Sequence, residues 1–265
     1  MAFRKRAHSH QVARLLAMSI VTLLTGCFAP AFSPGGVEQP GQVGADACAK
    51  IVSARPEGVS LRVLADATLR RGSEAVSFRY AIVRKAPDSF RVDILPPTGA
   101  FTVGLFVFHE GRAIWLDSTE KRYIEVSGEG DLFERFIGLP GITRPVVEGL
   151  LLGVVPPLDC AQARVYRQEG GDVLLVDSES HIAWRVIEGT PKIREVSILN
   201  RSEQSVAVRG EIERAADGKP MRLLLSVFDP VEAQGELILT KVVENPSISE
   251  RLFEITPPPN YERVD

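Results

Sequence analysis

The sequence predicts a mainly β protein with some α: a curled antiparallel sheet of about eleven strands, closed by short helices. Apolar residues recur with period two along most of the chain. Clusters of turn-forming residues separate these runs. Two short apolar segments with helical spacing interrupt them near the middle.

Taken in order, Asp46–Ser53 reads as a short helix with Asp46 as its cap. Three strands follow over Val59–Arg70, Ala75–Lys85 and Ser89–Leu95. In the second, Val76, Phe78, Tyr80 and Ile82 alternate with polar or small residues; in the third, Phe90, Val92 and Ile94 do. Arg71-Gly72-Ser73 and Ala86-Pro87-Asp88 supply turn chemistry between them, so the three read as an antiparallel meander. Ala100–His109 is apolar on both parities. Phe101, Val103, Leu105 and Val107 are expected on one face and Phe106 and Phe108 on the other, so both faces need cover. Ala113–Leu116 and Arg122–Val126 continue the sheet.

The helical segments are Asp131–Gly138, with Leu132, Phe133 and Phe136 at helical spacing, and Pro145–Gly153, with Leu150 and Leu151. Proline suits a first helical turn, and glycine followed by Pro156 and Pro157 ends the second helix. Strands resume at Arg164–Gln168, Asp172–Asp177, Ile182–Ile187, Lys192–Leu199, Val206–Arg214, Met221–Phe228 and Glu236–Val243. So large a sheet tends to curl. Its concave face needs filling, and the two apolar helices are the natural plug.

The N-terminus carries a different message. Arg4, Lys5, Arg6 and Arg14 precede an apolar stretch, Leu15–Leu24, and then Leu24-Thr25-Gly26-Cys27. A basic start, a short apolar core and small residues before the cut describe a secretory signal. The apolar run is too short to span a bilayer, which takes roughly twenty residues. The expected organisation is a signal peptide over 1–26, Cys27 at the head of a Pro/Gly/Ala-rich flexible tether over 27–45, and a single domain over 46–265. In an oxidising compartment Cys48 and Cys160 could pair or remain free; sequence does not supply the distance that decides it.

Composition narrows the function classes. The net charge of −3 is spread along the chain without a basic block, so nothing points to nucleic acid. Of four histidines, His8 and His10 belong to the leader, and His109 and His181 are far apart in sequence. No nucleophile elbow, phosphate loop, dinucleotide fingerprint or metalloprotease motif occurs. No catalytic residue, metal or cofactor is expected, and the chain is expected not to be an enzyme.

The Leu-Thr-Gly-Cys ending resembles the lipobox of bacterial lipoproteins, in which the cysteine is acylated and becomes the new N-terminus. Phe28, rather than aspartate, follows Cys27; by resemblance to enterobacterial sorting this implies the outer membrane. The order of parts over about residues 55–258 resembles the LolA/LolB lipoprotein-localisation superfamily. The carrying residues are Ser89-Phe90-Arg91-Val92-Asp93-Ile94-Leu95, Pro96-Pro97-Thr98-Gly99, the apolar strand to Phe108, Gly111-Arg112-Ala113-Ile114-Trp115-Leu116, the helix pair ending in Pro156-Pro157, and Leu252-Phe253-Glu254-Ile255. The resemblance implies an incomplete β-barrel closed by helices, nearer the LolB-like members because of the lipobox. It implies a monomer that holds acyl chains of lipoproteins or lipids and receives them from a soluble LolA-like carrier. The expected cavity lining is Phe78, Tyr80, Val92, Ile94, Phe101, Val103, Leu105, Trp115, Phe136 and Leu150. Leu95, Thr98 and Phe101 form the candidate membrane-insertion loop, with Thr98 where the family carries leucine. The competing reading is a structural or adaptor lipoprotein of the same fold with a filled interior.

Overall fold

The computed structural model describes residues 29–264, except 57, 129–131, 138–140 and 230–231. The leader and the lipidation site expected at Cys27 lie outside the described residues.

Fifteen strands of the described residues form one sheet. The first meander is β2 (Leu61–Arg71), β3 (Glu74–Lys85), β4 (Ser89–Leu95), β5 (Gly104–His109), β6 (Arg112–Asp117) and β7 (Arg122–Ser127). The second is β8 (Arg164–Arg167), β9 (Asp172–Asp177), β10 (Ile182–Ile187), β11 (Ile193–Leu199), β12 (Val206–Arg214), β13 (Pro220–Val227) and β14 (Ala233–Glu244). The two meanders join where β14 pairs antiparallel with β2, from Gln234↔Arg70 to Glu244↔Leu61. A short β1 (Val37–Gln39) extends one edge along β8, and β15 (Glu262–Arg263) extends the other, parallel to β7. The edges do not pair with each other, so the sheet is open.

Three helices fill its concave side: α1 (Gly41–Ser53), α2 (Leu132–Ile137) and α3 (Arg144–Leu152). They touch strands far apart in the sheet order: α1 meets β8, α2 meets β6 and α3 meets β13. One apolar cluster runs from Leu61 and Phe106 through Phe133 and Leu150 to Trp184 and Val196. Only a curved sheet brings those residues together.

The convex side is covered by the chain's own ends. The C-terminal segment lays Ile248 and Phe253 over Val83, Leu105, Val107 and Ile114. The N-terminal segment lays Phe32 over Tyr166, Leu199 and Val206. Both parities of β5 are therefore buried, as its sequence demanded.

Three expectations need correction. The tether over 27–45 is not free beyond Ala29. Pro30 O accepts from Val206 N–H at 2.9 Å, Phe32 N–H donates to Gln204 O at 2.8 Å, and β1 joins the sheet. Apolar residues on the outer face of β8–β12 require cover, and this segment supplies it. Helix α1 begins at Gly41, after Pro40, rather than at Asp46; Asp46 instead accepts a hydrogen bond from Gln42 within the helix. Finally, β5 starts at Gly104. Its register sets Gly104, Phe106 and Phe108 opposite Ile94, Val92 and Phe90, on the concave face. Leu105 and Val107 face outward, so Leu105 does not line the interior.

Candidate ligand-binding cavity

The helices do not fill the concave side completely. A cavity of about 470 Å³ remains between them and the sheet. That lies within the usual range of ligand pockets, about 300–1,000 Å³. One wall is the first meander: Phe78, Tyr80 and Ile82 of β3, Val92 and Ile94 of β4, and Trp115 of β6. The wall continues through β2 onto Leu237 and Leu239 of β14, Leu223 and Leu225 of β13, and Ile212 of β12. The roof is Phe133 and Phe136 of α2 with Val147, Leu150 and Leu151 of α3.

Both helices are fixed by identifiable interactions. In α2, Phe133 sits 4.8 Å from the Phe106 ring, edge to face, and Phe136 contacts Phe106 and Trp115 at 5.5 and 6.1 Å between centroids. Such pairs add about 1 kcal/mol each beyond their buried area. Helix α3 starts after Thr143 with Pro145 in its first turn and stops at Gly153, whose φ of 65° is left-handed. A Cβ there would also lie 2.6 Å from the Arg214 guanidinium, so glycine is required twice over. The Gly153 carbonyl accepts from Arg214 Nη2 at 2.8 Å and Ile193 N–H at 3.0 Å. The C-terminus of α3 is thereby tied to β11 and β12. Its other face is held by Glu148, which binds Arg84 of β3 and Arg144. The Arg144 guanidinium lies 4.4 Å from the centre of the Phe108 ring.

The cavity opens at one end of the sheet. Leu61 and Ile82, near the other end of the β2–β3 pair, are buried. Leu69 and Val76, cross-strand partners at the hairpin end, are 44% and 49% exposed. The lining is mostly apolar; its charged members are Asp117 and the Arg222–Glu236 ion pair, 2.6 Å apart. Tyr80 is its one buried titratable group with a displaced pKa: burial raises the phenol above its ordinary value of 10.0. Its hydroxyl has no hydrogen-bond partner among the described residues.

Of the residues expected to line this space, Phe78, Tyr80, Val92, Ile94, Val103, Trp115, Phe136 and Leu150 do so. Leu105 lies on the other face, and Phe101 is 62% exposed in the loop before β5. In that loop Gly99 N–H closes a turn onto Pro96 O at 2.8 Å, and Thr98 stands exposed at its tip; Leu95 ends β4, half-buried. The wall from β12–β14 was missed. Leu223-Leu224-Leu225 and Leu237-Ile238-Leu239 are apolar on both parities, so period two does not say which face closes the cavity; the β14–β2 pairing does.

Cys48 of α1 and Cys160, just before β8, are joined as a disulfide across 112 residues. Among the described residues no group of three His, Cys, Asp or Glu side chains is placed to hold a metal ion, and no helix is long and apolar enough to cross a membrane.

The fold recurs in solved structures. A DUF1329 family protein from Desulfovibrio piger superposes with a TM-score of 0.59 at 10% identity, covering 82% of this chain and 98% of the other. A LolA superfamily protein from Nitrosomonas europaea gives 0.54 at 11%, covering 80% and 97%. A putative outer membrane lipoprotein-sorting protein domain from Vibrio parahaemolyticus gives 0.51 at 13%, covering 79% and 95%. No family model matches the sequence, and no curated protein does. The chain has the open, helix-filled sheet of LolA-superfamily structures; at these identities the likeness is one of fold.

Proposed function

We propose that this chain is a LolB-like outer-membrane lipoprotein, anchored through Cys27, that shelters the acyl chains of other lipoproteins or of lipids. It helps receive or insert them at the periplasmic face of the outer membrane. The observation that carries this reading is the apolar, open-ended cavity of about 470 Å³. An acyl chain leaving water for such a wall gains about 0.8 kcal/mol per buried methylene. The wall it touches is mostly apolar and Arg222 is paired to Glu236, so the chain leaves as easily for a bilayer. The work is physical transfer, with neither catalytic group nor cofactor, and the protein acts as a monomer. Its ligand arrives on a soluble LolA-like carrier. Phe101, exposed beside the turn bearing Thr98, is the apolar side chain of the candidate insertion loop. The adaptor reading required a filled interior, and the cavity speaks against it.

The test is to purify the exported chain with Cys27 replaced by serine and analyse it by mass spectrometry. Co-purified lipid or acyl-peptide, displaced by a fluorescent fatty acid, is the expected result. An empty protein that also ignores the fatty acid would overturn the carrier reading.

A further inference from the structure

The segment after Cys27 does not let the body drift from its anchor. Pro30, Ala31 and Phe32 are hydrogen-bonded to the turn between β11 and β12, at Val206, Ser205 and Gln204. Cys27 and Pro30 are three residues apart, a reach of at most about 11 Å. The membrane attachment point is therefore confined to one end of the sheet.

The register shows that it is the cavity-mouth end. Val206 opens β12; Val208 pairs with Val227, the last residue of β13; Val227 pairs with Ala233, the first of β14; Gln234 pairs with Arg70, near the end of β2. Anchor, mouth and β2–β3 hairpin thus share one end. At about 4.8 Å per strand, the hairpin stands roughly 15–20 Å across the sheet from the attachment point. Its tip is built for an interface. Leu69 and Val76 form an exposed apolar pair on the concave face, and Arg70 and Arg71 follow with exposed side chains that have no ion-pair partner among the described residues. Apolar side chains flanked by guanidiniums suit the boundary between acyl chains and phosphate headgroups.

We infer that the β2–β3 hairpin is a membrane-contact surface, and that the domain sits mouth-down on the bilayer that receives its own lipid. The occupant of the surface is that bilayer. This rests on the reading of Cys27 as lipidated. Ligand would then pass between cavity and membrane without crossing water.

The experiment uses the intact acylated chain in phosphatidylcholine–phosphatidylglycerol vesicles carrying a headgroup quencher. An environment-sensitive dye is placed at Val76→Cys or, at the opposite end, at the exposed Asp88→Cys. The expected result is quenching several-fold stronger at position 76 than at 88, lost when a long Gly-Ser insert follows Phe28. Flotation of the unlabelled chain with vesicles is read in parallel. Flotation with equal quenching at both positions overturns the orientation while leaving the anchor standing. The same holds if dye at 76 is shielded only on adding a soluble carrier protein. Failure to float overturns the lipoprotein reading and the orientation with it.

Discussion

The Glu148 carboxylate of α3 accepts a hydrogen bond from Arg84 Nε of β3 at 2.8 Å, fastening the roof of the cavity to its wall. Both side chains are nearly out of water, at 12% and 15% exposure, and Arg144 closes on the same carboxylate at 2.5 Å. Arg84 also donates to the Val59 carbonyl. Removing the acid leaves two guanidiniums facing each other with little solvent. Glu148→Ala is expected to cost about 3 kcal/mol of unfolding free energy, measured by urea denaturation. It should also raise the fluorescence of an apolar-binding dye as α3 loosens. Replacing the pair together, Arg84→Met with Glu148→Leu, should recover the part of the loss that comes from Arg84, with Arg144 still deprived of this carboxylate. A single variant as stable as the parent would show that the pair does not hold the helix.

The disulfide makes a separate prediction. Cys48 is fully buried, and the bond closes 112 residues, tying α1 to the entry of β8. In the chain-entropy view a loop near that length is worth about 4–5 kcal/mol through the unfolded state. The double variant Cys48→Ala, Cys160→Ala should unfold at lower urea by about that amount. Reductant should bring the parent to the same midpoint and leave the variant unmoved. A parent indifferent to reductant would mean that the thiols are not joined in solution.

How far the sequence can be read is seen in β4 and β5. In β4 apolar and polar residues alternate, so Val92 and Ile94 are placed correctly on the concave face. In β5 every residue of Gly104–Phe108 is buried, and period two then carries no information about which parity faces in. Leu105 was lost for that reason. The N-terminal segment failed differently. Its prolines and glycines read as a flexible linker, but one phenylalanine, Phe32, finds an apolar patch created only when β8 to β12 assemble side by side. Local composition cannot report a surface assembled from residues more than a hundred positions away. The disulfide was undecidable by the same limit, since its Cα separation of 5.5 Å exists only in the folded chain.

Tyr80 supplies a pH test. Its pKa is raised by burial, so the native state keeps the phenol proton more tightly than the unfolded chain. The stability this contributes is complete below the ordinary value of 10.0 and is lost as pH rises from there through the native pKa. Tyr166 has the same sign, its desolvation being the leading cause, so alkaline unfolding draws on both. Tyr80→Phe should remove one late-titrating phenol from the native absorbance titration and soften the alkaline loss of stability. Because the hydroxyl has no partner among the described residues, stability at neutral pH should change by less than about 1 kcal/mol. A drop well beyond that would mean that the hydroxyl is engaged.

The cavity itself is tested by filling it and by charging it. Leu237 lies on β14 beneath the cavity, in register with Ala67 of β2 and Phe78 of β3, and is only partly buried. Leu237→Trp has room to turn inward. It should leave stability unchanged or raise it by about 1 kcal/mol, as cavity-filling substitutions do, while reducing fatty-acid uptake several-fold. Leu150→Glu places a carboxylate in the roof, at a buried position. It should abolish uptake and also destabilise α3, by an amount of order 2–4 kcal/mol. The tryptophan variant separates loss of space from loss of fold: a stable Leu237→Trp protein that binds acyl chains as the parent does would place the ligand somewhere other than between β14 and the helices.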